Sequence, residues 1–148
     1  MATIQQVLQV VATLACALFA GAALYINVVE HPARMSCGTR MAATEWAPSY
    51  QRATWLQAPL AIIGLLGSVT VWLLGSSVAW LAGGLLLGSV VPFTLIVIKP
   101  TNTQLLSSTL DKESEEARQL LTRWNTLHAV RTVLSLMALV ILLIGAVS

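Results

Sequence analysis

The stretch ATWLQAPLAIIGLLGSVTVWLLGSSVAWLAGGLLLGSVVPFTLIVI, residues 53–98, runs for 46 positions without one Asp, Glu, Lys or Arg. A helix needs about 20 apolar residues to cross a ~30 Å hydrocarbon layer. The stretch therefore holds two spans, and Gly75-Ser76-Ser77 in its middle is the tight turn between them. Working outward, residues 1–29 and 132–148 are also free of charge. They supply a first span and most of a last one. The expected fold is all-α and polytopic: a single-domain, four-helix transmembrane bundle over 1–148, with spans near 4–31, 57–75, 78–98 and 124–147.

Composition agrees. Hydrophobic residues make up 57% of the 148 and charged residues 9%, against roughly 25% charged in a soluble domain. Eight Lys+Arg and six Asp+Glu leave a net charge of +2. That excludes a soluble enzyme, a disordered chain and a nucleic-acid binder, which would carry a basic footprint. The N-terminus lacks the Lys or Arg of a cleaved signal peptide. Cys16 falls mid-span and Cys37 beyond the span, about 20 Å from it at 1.5 Å per residue, so no disulfide is expected. Neither cysteine has zinc-site spacing.

Proline and polar residues set the expected boundaries. Glu30-His31-Pro32 should end span 1 near His31, because proline disfavours the α region for the residue before it. Residues 32–56 read as a polar loop with a short interfacial helix around 40–55, its Trp46 and Tyr50 at headgroup level. Pro59 suits the first turn of span 2. Trp80 falls near the outer boundary of span 3, and Pro92 should kink that span. Lys99-Pro100-Thr101-Asn102 ends it. The arm 99–123 follows. An acidic run at 111–116 marks a helix N-terminus near Asp111. The last helix then runs unbroken into the membrane for about 55 Å.

Lys and Arg fall only in the two long connections: Arg34, Arg40 and Arg52 in 30–56, and Lys99, Lys112, Arg118 and Arg123 in 99–123. The positive-inside rule places both connections in the cytoplasm and both termini outside. The long last helix then extends into the cytoplasm. This topology gathers the unusual polar residues at one mouth. Asn27, Glu30 and His31 end span 1 there, Asn102 follows span 3, and Trp124, Asn125, His128 and Arg131 begin span 4. Trp124, His128, Arg131 and Ser135 share one helical stripe, and Thr13, Cys16, Ala20, Asn27 and His31 share another. Asn27, Trp46, Tyr50 and Trp124 are candidate substrate contacts for a small lipophilic molecule.

Two chemistries fit these residues. In one, His128 is a general base, and Arg131 with Asn102 or Asn125 holds a developing oxyanion. In the other, His31, His128 and Glu30 form a two-histidine, one-carboxylate set for a mononuclear iron or copper ion. The adjacency of Glu30 and His31 works against the second, since neighbours point about 100° apart on a helix. The cofactor is left open between none and one such metal. Phosphate loops, dinucleotide fingerprints and CxxC pairs are absent.

Four motifs, in order, resemble the anthrone oxygenase-like family of small four-helix membrane proteins, also called DUF1772. They are Tyr25 to Arg34 (YINVVEHPAR), Trp46 with Tyr50, Lys99-Pro100-Thr101-Asn102, and Trp124 to Arg131 (WNTLHAVR). The resemblance spans about Leu18 to Leu143. It implies a membrane oxidoreductase or oxygenase acting with O₂ on an anthrone- or quinone-like aromatic. The positions it implicates are Glu30, His31, Asn102, Trp124, Asn125, His128 and Arg131. A non-enzymatic quinone or lipophile carrier would use the same mouth, and a membrane-complex assembly subunit would dock a partner there. Membrane lipid is an expected neighbour. The small-residue faces of spans 2 and 3 permit a homo-oligomer.

Overall fold

A computed structural model of the chain describes residues 3–147. The terminal residues Met1, Ala2 and Ser148, whose side of the membrane the charge count addresses, lie outside the described residues. Four helices form the protein: α1 (Ile4–Ser36), α2 (Thr39–Leu73), α3 (Val78–Leu105) and α4 (Glu115–Val147). Each is long and apolar enough to cross a membrane, and no strand occurs among the described residues. The principal contacts run α1–α2, α2–α3, α3–α4 and α4–α1. The protein is therefore an integral membrane, up-and-down four-helix bundle.

Local chemistry fixes the ends. Thr3 and Gln6 form a capping box at the start of α1. Gly38 and Gly75 both have φ of 92°, a left-handed conformation that only glycine adopts cheaply. They make the corners between α1 and α2 and between α2 and α3. At the start of α4, Ser114 Oγ accepts from the Ala117 N–H at 3.1 Å, so the helix begins at Glu115 rather than near Asp111.

Half of the bundle is packed by Ala12, Cys16, Phe19, Ala61, Val71, Trp80, Leu87 and Leu142. A Cβ on Gly84 would stand 2.7 Å from the Ser68 Cβ and 3.4 Å from the Leu65 carbonyl oxygen. The glycine lets α3 lie directly on α2. Trp80 is not an interfacial residue as expected. It is fully buried, and its indole N–H donates to the Gly145 carbonyl at 3.1 Å. Cys16 and Cys37 are both free.

The charged end departs most from expectation. Residues 32–56 are no loop: α1 continues through Pro32 to Ser36, and α2 starts at Thr39. Pro48 and Pro59 both lie inside α2. Likewise α3 passes Pro100 and ends at Leu105. Local π-turns show how two of the prolines are carried. Ile26–Glu30 and Thr94–Ile98 are π-helical, and each is followed by one residue and then proline, His31-Pro32 and Lys99-Pro100. The N–H of His31 bonds the Ile26 carbonyl and that of Lys99 bonds Thr94, both i→i+5. A π-turn inserts one residue into the helix, so a carbonyl loses its usual partner just where proline has no N–H to give. The insertion also shifts the phase. Buried positions on α1 run 12, 16, 19, 23 and 26, then step five residues to His31 and on to Arg34. On an uninterrupted α-helix Glu30 would have followed Ile26 inward.

Candidate functional site

The charged end has its own core of Ile26, Ala42, Ala43, Trp46, Ile98, Leu105, Leu121 and Trp124. An aromatic ladder crosses it. Tyr50 stacks on Trp46 at 4.9 Å and 6°. Trp46 meets Trp124 edge-on at 5.7 Å. Trp124 lies 4.8 Å from the His128 ring and 5.9 Å from that of His31. Trp46 and Tyr50 are thus core rather than headgroup residues, because α2 extends two turns below the expected start of its span. Trp55, 78% exposed, is the aromatic that faces outward there.

Asn27 is the polar hub. Its amide nitrogen donates to Asn125 Oδ1 at 2.7 Å and to the Asn125 carbonyl at 3.1 Å. That pins the amide orientation, so its oxygen must accept. It does so from the Thr132 hydroxyl, and it lies 2.9 Å from His128 Nδ1. His128 is therefore the neutral Nδ1–H tautomer, with the lone pair on Nε2. Asn27, expected to touch substrate, is engaged within the protein. Asn125, expected to hold an oxyanion, orients Asn27 instead.

Arg131 points inward. One terminal nitrogen donates to Gln57 Oε1 at 2.8 Å, and the guanidinium sits 5.4 Å from the Phe19 ring centroid, within cation–π range. Both side chains line a cavity of about 150 Å³ together with Phe19, Tyr50, Thr54, Val90 and Leu95. It opens between α2 and α3, where Thr54, Ala58 and Leu95 are exposed. Charge-free sequence begins at Ala53 on α2 and ends at Ile98 on α3. The mouth thus lies just inside the apolar zone. His128 and Trp124 do not line it. They connect to it through Trp46 and Tyr50. A larger groove of about 590 Å³ runs along α1 and α4 at the opposite end, past Gln9, Thr13 and Ala146. It contains no titratable group.

The remaining expected positions separate. Glu30 bonds Arg34 and Ser49, while His31 turns into the aromatic core. The π-turn ahead of them sends the two neighbours apart. Glu30, His31 and His128 do not converge, and no group of three or more His, Cys, Asp or Glu among the described residues could hold a metal ion. Asn102 is buried on α3 with its side-chain oxygen unpartnered; it makes no bond to His128 or Arg131.

Three residues escaped the sequence reading. Gln57 is the partner of Arg131. Thr132 completes the Asn27 hub, four residues beyond His128. Arg34 is buried, with its Nε 2.7 Å from Glu45 and a terminal nitrogen bonded to Glu30 and to Ser49 at 3.1 Å. The Glu30–Arg34 spacing of four was the available signal for the last.

Comparison with curated proteins and with solved structures finds no match. A family model described as anthrone oxygenase matches residues 46–141. The match takes in Trp46, Tyr50, Gln57, Asn102, Trp124, His128 and Arg131, and leaves the Asn27–Arg34 segment outside. With roughly two thirds of its length matched, including the ladder and the cavity cation, this four-helix membrane protein belongs to the anthrone oxygenase family.

Proposed function

We propose that this protein is a membrane-embedded oxygenase-type oxidoreductase that admits a small, planar, lipophilic aromatic ketone from the bilayer and directs its oxidation by O₂. One observation carries the reading: the Arg131–Gln57 pair on the wall of an otherwise apolar cavity open between α2 and α3. At about 150 Å³ the cavity is smaller than a drug-sized site of roughly 300 Å³ or more. It suits the oxygen-bearing end of a ring system whose remainder lies in the mouth. Thr54 and Thr94 add little polarity, because their hydroxyls are used on the Tyr50 and Val90 carbonyls at 2.9 and 2.6 Å. Recognition falls to Arg131, Gln57 and the Tyr50 hydroxyl.

For an anthrone the reaction balances as ring CH₂ plus O₂ giving ring C=O plus water. The protein's part is to hold the ketone oxygen at Arg131, to exclude bulk water and to accept the methylene proton. His128 is the base of this scheme, held by Asn27 with Nε2 free. Its ring stands off the cavity wall, so the proton passes through one bridging water.

The test is O₂ uptake and quinone absorbance with an anthrone, using protein in nanodiscs. Wild type should turn over, Arg131→Met should lose at least about tenfold in rate, and His128→Gln should lose rate while still binding. Stoichiometric iron or copper that disappears with activity in His31→Ala would replace this scheme by a metal-dependent one. A carrier reading has support in the position of His128 outside the cavity wall. It predicts saturable quinone binding without O₂ consumption.

A further inference from the structure

The protein contains six acidic side chains: Glu30, Glu45, Asp111, Glu113, Glu115 and Glu116. Glu30 and Glu45 are paired with Arg34. The other four lie in the connection before α4 or in its first turn. None reaches Arg131, whose hydrogen bond goes to the neutral Gln57 amide. The groups facing its guanidinium are Phe19 of α1, Tyr50 and Gln57 of α2, and apolar Val90, Val91 and Leu95 with Thr94 of α3. His128, one turn back on its own helix, is neutral in its bonded form. The Arg131 Nε and Gln57 Nε2 donors are buried and unpartnered. A cation at membrane depth is costly unless an opposite charge meets it, and buried donors call for acceptors. The protein supplies neither.

From this imbalance we infer that the cavity binds its ligand as a lipophilic oxyanion, the enolate or phenolate of an acidic aromatic, and discriminates against the neutral quinone. This inference rests on the proposed substrate site and deepens it. The ligand's acidic C–H or O–H bond breaks heterolytically. The electron pair stays on the ligand, delocalised to oxygen beside Arg131, and the proton leaves to solvent water. No oxidant enters this step. A phosphate head group is disfavoured because only three polar side chains are free to meet its four oxygens. A fatty carboxylate has the same charge as the aryl anion, so it is kept as a separate arm of the test. Charge also orders binding and release: the acidic substrate is held, whereas its oxidised product has no proton to lose and returns to the bilayer.

The experiment uses the full chain in nanodiscs of phosphatidylcholine under argon, with anthrone, anthraquinone and palmitate as probes. Anthrone ionisation is followed by the visible absorbance of its anion. An apolar site alone raises the pKa of an acid, whereas an adjacent cation lowers it by about 1–3 units. Bound anthrone should therefore ionise at least about one unit, tenfold, below free anthrone. Arg131→Lys should keep most of that shift and Arg131→Met should abolish it. Anthraquinone should bind at least tenfold more weakly than anthrone, and palmitate should compete weakly. An unchanged or raised anthrone pKa, or equal binding of anthraquinone, overturns the inference while leaving the substrate site standing. Palmitate binding more tightly than anthrone overturns the aryl assignment. Failure of all three probes to bind wild type removes both this inference and the proposed function. Gln57→Leu, which keeps the charge but loses the arginine's partner, should weaken the shift without erasing it, and provides a second variant should Arg131→Met fail to fold.

Discussion

Replacing Asn27 by Leu tests the hub that orients His128. The substitution preserves size and removes an amide that joins α1 to three partners on α4. Asn125 Oδ1 is half-buried and can find water. Thr132 Oγ has a second acceptor in the His128 carbonyl at 3.4 Å. His128, 1% exposed, has no replacement for its Nδ1–H bond. A buried orphan donor costs about 1–3 kcal/mol, while interhelical hydrogen bonds in membranes average about 0.6 and reach about 1.7. One fully orphaned group and two that recover give an expected loss near 2 kcal/mol. Equilibrium unfolding in bicelles, with SDS as denaturant, measures it, and Thr132→Val should cost less than about 1 kcal/mol because it orphans nothing. Nitrogen NMR of histidine-labelled protein should show His128 as the Nδ1–H tautomer in wild type, and that preference should vanish in Asn27→Leu. A loss below about 0.5 kcal/mol, the size of an ordinary surface change, together with an Nε2–H tautomer in wild type, would refute the hub.

Three further outcomes follow from the packing. Arg34→Met should cost about 1–3 kcal/mol, below the 3–5 of a fully buried pair, because Glu30 and Glu45 side chains are 26% and 47% exposed; the same unfolding assay reads it, and adding Glu45→Gln should recover part. Gly84→Ala should lose about 1–3 kcal/mol by overpacking, whereas Gly21→Ala, with nothing within 4 Å of its added Cβ, should gain about 0.5–1 from helix propensity. A reversed order would contradict the α2–α3 contact. Trp80→Phe should cost about 1 kcal/mol for the lost bond to Gly145, and intrinsic fluorescence of the remaining tryptophans should leave the charged end unchanged.

Hydrophobic run length made the four helices legible, because a bilayer imposes a length that composition alone can show. The stripe of Trp124, His128 and Ser135 facing inward with Arg131 was legible too, since α4 keeps one uninterrupted period. The charged end was not. Pro32, Pro59 and Pro100 read as helix boundaries, yet the first and last are carried by π-turns, whose i→i+5 bonds have no sequence signature, and Pro59 lies within a helix held by its neighbours. Trp46, Tyr50 and Trp80 were read by the usual preference of aromatics for the interface. Tertiary packing overrode that preference. Gln57 was hidden because a lone glutamine at an expected helix start announces no partner across the bundle.

The paired π-turns mean that the two ends of the bundle keep different clocks. On α1 and α3 the apolar half counts residues in steps of 3.6, and one residue is spent at the junction before the count resumes. What faces inward beyond Ile26 is thus fixed by how many residues precede it as much as by which residues they are. Deleting a single valine from Val28-Val29 would leave every side chain of the mouth intact in kind, yet turn His31 and Arg34 by about 100° toward lipid. The chemical end can therefore change its inward set by gaining or losing one residue, while the apolar half above it stays packed as it was.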